Sequence, residues 1–222
     1  MNTLISQTKE LLQEANFDWA FCGGWAIDLF CGEQTRKHSD IDICAFAENR
    51  DDVIKFMDRP NWTLYDYCGG GIVHLNAGHH EEKYAGKSLC CVKDGNRFFH
   101  FIPLGDGMFR QEYRQADQTE LDYIDFMFNK RSEVNFLCVW SDATPTIERT
   151  LDNAILYSEG IPYIAPEIAM LYDSREHEHD DSEHDFVIAT ARMNNEQKAW
   201  LTNSLHLRYP HGHPWIDRLK VL

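Results

Sequence analysis

Two aspartates separated by one residue, Asp40 and Asp42, are the strongest candidates for chemistry in this chain of 222 residues. Residues 39–46 alternate between polar and apolar side chains, which predicts a strand with one buried side and both carboxylates on the other. Two carboxylates on one face supply oxygen ligands that can hold one or two Mg²⁺ ions. Such ions stabilise the attacking and leaving oxygens when a phosphoryl group is displaced. The pair therefore predicts metal-dependent phosphoryl chemistry.

A glycine pair lies upstream of these aspartates. Gly23 and Gly24 follow the short apolar run 19–22, and residues 25–30 then show a helical pattern that Gly32 ends. Strand, glycine turn and helix are therefore expected in that order. Glycines at such a turn let backbone amides approach a phosphate at the positive end of the helix. The glycine turn and the Asp-x-Asp strand together predict that residues 21–46 bind one triphosphate.

The rest of the chain predicts the elements around this stretch. Apolar spacing indicates helices over residues 3–15 and 49–57 and, near the end, over 166–175, 185–193 and 195–207. Between them the chain is rich in aromatic and β-branched residues, which predicts hairpin-linked strands, the strongest at 96–103, 121–128 and 134–140. Their expected turns are Gly69-Gly70-Gly71, Asp94-Gly95 and Gly105-Asp106-Gly107. The pattern predicts an α+β protein with a small helical C-terminal part.

Composition limits the partners that the chain can have. The formal charge of −15 opposes binding to a polyphosphate backbone, so we expect no nucleic-acid partner. A small polycation is the better match for an acidic protein. The N-terminal residues lack an apolar leader, and no apolar run is long enough for a membrane span. Seven cysteines without paired spacing indicate buried thiols, so we expect a cytoplasmic protein that does not bind membranes.

The stretch 21–46, which reads F-C-G-G-W-A-I-D-L-F-C-G-E-Q-T-R-K-H-S-D-I-D-I-C-A-F, resembles the signature of the nucleotidyltransferase superfamily. It is similar in particular to the aminoglycoside 2″-adenylyltransferase-like and lincosamide nucleotidyltransferase-like branch. There, Gly-Gly-Trp-Ala-Ile-Asp, Thr-Arg-x-His and Asp-Ile-Asp-Ile occur in this order. Residues 160–172 resemble that branch's link into a helical domain. The resemblance implies a nucleotidyltransferase α/β domain over 1–145, with a mixed sheet flanked by helices, and a hairpin link plus helical domain over 146–222.

The resemblance also implies roles for single residues. Asp40 and Asp42 would bind Mg²⁺, and the triphosphate would contact a set of four residues, Gly23, Gly24, Arg36 and Ser39. The superfamily adds a third carboxylate that completes the metal site or acts as base toward the acceptor. Asp125, in L-D-Y-I-D-F-M-F, is our assignment, and His100 on another predicted strand is the rival. Asp122 would point to the opposite face from Asp125.

The implied activity is a Mg²⁺-dependent transfer of a nucleoside monophosphate, AMP from ATP, to a hydroxyl of a small molecule. An aminoglycoside-like antibiotic is the expected acceptor, which would make the chain an antibiotic-resistance enzyme. Two alternatives stay open: a protein acceptor, or a nucleotide-binding protein without catalysis. The second alternative arises because Asp173 and Asp181 stand where relatives carry basic residues.

Other polar clusters favour simpler interpretations. The acid-rich and histidine-rich run 176–185 invites a metal site, but its composition is more typical of a solvated loop. Residues 79–82, His-His-Glu-Glu, are more typical of a hairpin tip than of a substrate cleft. We expect Asp28 to brace the glycine turn or a helix, and Asp185 to tie helices together.

Overall fold

The computed structural model describes residues 2–78, 88–114, 120–140 and 144–221. The chain forms two compact units. The first comprises Met1–Trp19 and His38–Asn129, and the second comprises Ala20–Lys37 and Lys130–Leu222. The predicted boundary at residue 145 came from the family resemblance, and it stays a prediction. Residues 79–82 lie outside the described residues.

The elements follow one another along the described chain in two stretches. Up to residue 131 they are α1 (Thr3–Leu12), β1 (Trp19–Phe21), α2 (Gly23–Cys31), β2 (Asp42–Phe46), α3 (Arg50–Met57), β3 (Trp62–Gly69), β4 (Ile72–Asn76), β5 (Ser88–Lys93), β6 (Phe99–Gly105), β7 (Met108–Tyr113) and β8 (Tyr123–Arg131). After it they are β9 (Asn135–Cys138), β10 (Ile147–Thr150), α4 (Leu151–Ala154), β11 (Ile155–Ser158), β12 (Ile161–Ile164), α5 (Pro166–Asp173), α6 (Asp180–Arg192), α7 (Asn195–Arg208) and α8 (Pro214–Leu219).

The first unit is built on a mixed sheet whose described strands run in the order β2-β8-β5-β3-β4-β7-β6. The pair β2 and β8 is parallel, and every later neighbour is antiparallel. The glycine turns at 69–71 and 105–107 connect β3 to β4 and β6 to β7, as predicted. The predicted hairpin at Asp94-Gly95 is wrong, because β5 pairs with β3 and β8 while β6 pairs with β7.

Helix α3 covers one face of this sheet. Its Val53, Ile54 and Met57 are fully buried. Phe17, in the loop before β1, bridges helix and sheet, with ring centroids 5.5 Å from Phe56 and 6.3 Å from Phe126. Aromatic side chains of β3, β6 and β8 pack together on the opposite face. The sheet therefore has a helix-covered face and an aromatic face.

The second unit combines short strands with a helical core. Strand β12 pairs parallel with β1 at Phe21 and antiparallel with β11, and β9 pairs with β10 and the end of β8. Among the helices, Phe186 of α6 stacks on Trp215 of α8 at 4.2 Å. Arg149 is buried and donates to Glu167, which has no exposed surface. Because both members of this ion pair are buried, the loss of either one would leave the other charge buried without a partner.

Most predicted helices are confirmed, with shifted ends. Helix α2 begins at Gly23 itself and ends at Gly32, whose φ of 74° is the left-handed cap that favours glycine. Helix α6 begins at residue 180 instead of 185. The predicted loop over 176–185 is therefore partly wrong, because Asp180, Asp181 and Glu183 lie in the first turn of α6, where the helix dipole favours acids. Helix α8 was not predicted, although Pro214 is a typical first helical residue. None of the described helices is long and apolar enough to cross a membrane.

A buried ion pair ties α3 to the sheet of the first unit. Asp66 on β3 is 1% exposed. It accepts a hydrogen bond from the Arg50 guanidinium and another from Asn76 Nδ2 at 2.9 Å. Removal of the carboxylate would leave the guanidinium buried without its counter-ion, which costs far more than the loss of a surface pair.

We therefore expect Asp66→Ala to lower the free energy of unfolding by about 3–5 kcal/mol. Urea denaturation followed by circular dichroism measures this change. Glu10→Ala, at an exposed position on α1, is the control and should stay within about 0.5 kcal/mol of the parent. Equal stability of the two variants would show that the pair does not hold α3 in place.

Candidate functional site

The first unit brings two of the predicted carboxylates together. Asp42 is the first residue of β2, and Asp125 lies in β8. The two residues are register partners in the parallel pair, so their side chains leave the sheet on the same face. The Asp125 backbone N–H donates to the Ile41 carbonyl oxygen at 2.9 Å, which fixes the pairing at this end. Asp42 and Asp125 thus form the centre of the candidate site.

Asp40 lies outside the strand. Residues 39–46 were predicted to form one strand, but β2 begins only at Asp42, so the predicted start is wrong by three residues. The alternation of buried and partly exposed residues holds for Asp40, Ile41 and Asp42, but further along Cys44 and Phe46 are also buried. Strand β2 therefore has an exposed side only near its first residue, where the sheet ends. Asp40 still belongs to the site, because its charge contributes to raising the pKa of Asp125.

Asp125 has the environment of a carboxyl that can exchange a proton near neutral pH. Burial raises its pKa to about 7, the thiol of Cys90 lowers it through a hydrogen bond, and the charge of Asp40 raises it. Cys90 is the register partner of Asp125 on β5, and Gln111 Nε2 donates to the Cys90 sulfur at 3.8 Å. A general base works best when its pKa lies near the working pH. The site can therefore accept a proton from a bound hydroxyl.

The rival base, His100, points away from these carboxylates. Its neighbour Phe99 packs on Tyr123, with centroids 4.7 Å apart, and Tyr123 shares a sheet face with Asp125. Since successive strand residues alternate in direction, His100 faces the opposite side, where it is exposed. Asp122 precedes β8 and lies 4.0 Å from Arg97. The geometry favours Asp125 over both residues.

The carboxylates fit Mg²⁺ by their chemistry. Mg²⁺ prefers oxygen donors, keeps several waters and is usually held by one or two carboxylates plus substrate phosphates. The pair Asp42 and Asp125, with Asp40 nearby, supplies such donors. Within the described ranges, no group of three or more His, Cys, Asp or Glu side chains is arranged to hold a metal ion, and these ranges include the run 176–185. The site thus offers oxygen donors without a complete cage of protein ligands.

The glycine turn belongs to the second unit. Gly23 begins α2 with a φ of 60°, which glycine adopts without strain. The N-cap residue Cys22 makes no side-chain cap hydrogen bond to the helix. Gly24 follows in the first turn, whose amides carry the partial positive charge of the helix dipole. Asp28 accepts hydrogen bonds from the Thr35 amide at 2.9 Å and hydroxyl at 2.7 Å, which confirms its predicted bracing role.

Arg36 is held by acids of the second unit. Its Nε donates to Asp185 Oδ1 at 2.8 Å, its Nη2 to Asp185 Oδ2 at 2.7 Å, and its Nη1 to Asp181 at 3.2 Å. Asp185 is thus a structural tie, as predicted. Ser39 is exposed in the following loop. The predicted contacts of Arg36 and Ser39 with phosphate stay predictions.

Two residues of the site were missed from the sequence. Tyr123 lies two positions before Asp125 and is 2% exposed. Burial raises its pKa well above the usual value, and the charges of Asp40, Asp125 and Asp42 raise it further. The alternation in L-D-Y-I-D-F already places Tyr123 on the Asp125 face. Cys90 had no comparable signal, because only the register of β5 against β8 makes it the neighbour of Asp125.

Comparisons with known proteins concern the N-terminal sequence and the fold. Residues 4–63 match the family model described as aminoglycoside-2″-adenylyltransferase. A 2″-aminoglycoside nucleotidyltransferase of Klebsiella pneumoniae is 46% identical over 48 residues, 22% of this chain. The match spans only about a quarter (27%) of that relative's length. The lincomycin-bound crystal structure of the lincosamide antibiotic adenylyltransferase LnuA is 15% identical, covers 86% of this chain and 100% of its own, and has a TM-score of 0.51.

The chain has the nucleotidyltransferase fold. The antibiotic-resistance factor ANT(2″)-Ia, known from a solution structure, is 16% identical with a TM-score of 0.48, over 94% of this chain and 92% of its own. The predicted fold and the resemblance of the N-terminal motifs are confirmed. The resemblance of residues 160–172 lies beyond the matched stretch and stays a prediction.

Asp173 occupies a buried and charged setting in the second unit. Burial raises the pKa of Asp173 from 3.8 to about 7, and the charge of Asp185 raises it while Arg36 lowers it. Between these two pH values the folded chain holds a proton that the unfolded chain has released. The free energy of unfolding therefore falls as pH rises from about 4 to 7.

Asp173→Asn removes this titration, because the amide has nearly the same shape but no charge. We expect the variant to be more stable than the parent at pH 8 by on the order of 1–2 kcal/mol, and equally stable near pH 4. Denaturation curves across pH 4–8 measure the difference in the free energy of unfolding between the variant and the parent. Asp152→Asn, at an exposed acid of α4, should run parallel to the parent. A pH-independent gap for Asp173→Asn would contradict the titration.

Proposed function

We propose that this chain is a Mg²⁺-dependent nucleotidyltransferase that transfers a nucleoside monophosphate, AMP from ATP, to a hydroxyl of a small molecule. The observation that carries this proposal is the register pairing of Asp42 with Asp125 next to Asp40. The family match over residues 4–63, which contain the glycine pair and Asp-x-Asp, supports it. An aminoglycoside-like antibiotic is the first acceptor to test, because the K. pneumoniae relative is named for that class.

Each residue has a proposed role. Asp40 and Asp42 hold Mg²⁺, and Asp125 either joins them or removes the proton from the acceptor hydroxyl. When bound, the metal supplies positive charge to the phosphoryl group. The amides at Gly23 and Gly24 bind phosphate at the start of α2. Ser39 and Arg36 contribute polar contacts, and Arg36 would do so while tied to Asp185.

Asp125 is suited to both of its proposed roles. With a pKa of about 7, its carboxylate can take a proton from a hydroxyl that is turning into a nucleophile. The Cys90 hydrogen bond fixes the carboxyl on the side of the sheet where Asp42 lies. A hydroxyl held between them would be oriented for attack on the α-phosphorus, with pyrophosphate as the leaving group.

A second candidate function is nucleotide binding without transfer. One observation favours it, namely that Arg36 is held by Asp185. The family resemblance adds that Asp173 stands where a lysine is expected. A protein acceptor is the remaining alternative. We place the protein in the cytoplasm, since all seven cysteines are free thiols in the structure. Acidic charge and the absence of a spanning helix among the described residues support a partner other than nucleic acid or membrane.

The decisive experiment incubates the pure protein with Mg²⁺, each of the four nucleoside triphosphates and a panel of hydroxyl-bearing antibiotics. We expect pyrophosphate release and an acceptor mass gain of one nucleoside monophosphate. Asp42→Asn and Asp125→Asn should lower the transfer rate at least about 100-fold. Asp122→Asn is the matched control, because it changes an aspartate only three residues from Asp125 that faces the other way.

Each outcome distinguishes a different function. Full activity of Asp125→Asn would remove Asp125 from the mechanism. Mg²⁺-dependent binding of ATP without transfer to any small acceptor would favour the binding role, and labelling of a protein by radioactive ATP would favour the protein acceptor. Circular dichroism of each variant confirms that a loss of activity is not a loss of fold.

A further inference from the structure

The face of the first unit that carries Asp42 and Asp125 is sorted by charge. The register can be followed from Asp125 through β5, β3, β4, β7 and β6, and alternate residues then share one face. Within these described strands, every other charged or histidine residue falls on the opposite face, namely Asp66, His74, Lys93, His100, Arg110 and Glu112. On this face, the five strands therefore carry aromatic, apolar and uncharged polar side chains. Asp94, directly after β5, lies close enough to Tyr65 for its charge to raise the pKa of that tyrosine.

The aromatic rings of this face form a continuous surface that reaches the carboxylates. Tyr65 stacks on Phe101 with centroids 4.3 Å apart and planes inclined by 11°. Phe99 contacts Phe101 at 5.8 Å and Tyr123 at 4.7 Å. Since Tyr123 lies two residues before Asp125 on the same strand face, the rings begin directly beside the reacting groups. Strands β6 and β8 are not neighbours in the strand order, so the contact between Phe99 and Tyr123 requires the sheet to curl, which makes this face concave.

Part of this surface is open. Tyr65, Phe99 and Tyr123 are buried, but Tyr113 is 53% exposed. Phe101 and Phe109 are partly exposed. Tyr113 packs edge-on against Phe99 at 5.7 Å, so its ring is held in place although half of it is in solvent. Exposed, ordered aromatic rings beside a polar centre are typical of a small-molecule site, where rings hold the body of a ligand and a few polar groups orient it.

Resting on the proposed function, we infer that the acceptor lies with an apolar face against Tyr113, Phe101 and Phe109, and that it is a hydroxyl-bearing molecule with at most one positive charge. A polyamine needs several carboxylates to replace the water around its ammonium groups. The described strands offer on this face only the carboxylates that the reaction itself requires, and Asp94, beyond the end of β5, adds one acid whose charge reaches Tyr65. One cation can be held by a ring face, whereas several cannot.

The test uses three probes with different charge: a neutral nitrophenyl glycoside, lincomycin with one amine, and tobramycin with several. Transfer is followed by acceptor mass with ATP and Mg²⁺, and equilibrium binding of each probe is measured separately by calorimetry. We expect the neutral or singly charged probe to bind more tightly than tobramycin and to be modified faster. The KM of the preferred probe should stay constant between low and high salt, because screening weakens charge pairs and leaves ring contacts intact.

Variants at the open ring locate the contact. Tyr113→Ala should raise the KM and Kd of the accepted probe about tenfold, with the KM for ATP unchanged. Tyr113→Glu should improve tobramycin binding in a salt-dependent manner, because it adds a carboxylate beside the open rings. Tyr157→Ala, at a tyrosine of β11 that is 69% exposed, is the matched control and should change none of these values. Tyr113 is exposed enough for each variant to fold.

The outcomes separate this inference from the proposed function. Transfer to tobramycin that equals or exceeds transfer to the other probes, or a KM that Tyr113→Ala leaves unchanged, would overturn the inference while the transferase stands. Probe binding that depends on Tyr113 without any transfer would support the inference on the ligand and overturn the proposed activity. Loss of both binding and transfer for all probes would overturn both.

Discussion

The parallel pairing of β2 with β8 is the constraint on which the candidate site depends. It places two aspartates side by side at a sheet end, where burial and the charge of Asp40 oppose the ionisation of Asp125. Such an arrangement costs stability unless a cation or a proton offsets it. In the first unit, apolar burial on the helix-covered face offsets this cost. The residues that are completely buried there include Ile41, Ile43, Ile124 and Phe126. Apolar packing on one side of the strands thus maintains charge crowding on the other.

Buried charges occur in two kinds of environment in this protein. Around Arg50 with Asp66, and around Arg149 with Glu167, each buried charge has an opposite partner, as expected for groups that stabilise a fold. At Asp125 burial has the strongest influence on the pKa and raises it; the Cys90 hydrogen bond lowers the pKa, and the charge of Asp40 raises it further. Carboxyls whose pKa is raised toward neutral pH in this way are typical of sites that exchange protons or bind cations. This difference distinguishes the candidate site from the structural ion pairs more clearly than residue type does.

Local sequence patterns predicted the glycine turn, most helices and the Asp40 and Asp42 spacing, because these features depend on residues close together in the chain. The assignment of Asp125 came from the family resemblance. Features set by distant residues were harder. Only the strand order shows that β8, and not β6, lies beside β2, which favours Asp125 over His100. Burial of Cys44 and Phe46 depends on what packs around β2, so alternation alone overstated how far its open side extends. The run 176–185 was misjudged because its acids suit both a solvated loop and the start of a helix, and only the structure shows where α6 begins.

The charge sorting between the two sheet faces has a consequence for how this protein can diverge. Loss or gain of one residue inside β7 would exchange Phe109, Gln111 and Tyr113 for Arg110 and Glu112 on the concave face. Such a change would replace the ligand surface in a single step. Lengthening of the glycine turn at 105–107 would leave the face unchanged. Insertions in this hairpin should therefore be tolerated at its tip and selected against within its strands, while single substitutions at the open rings alter ligand preference gradually.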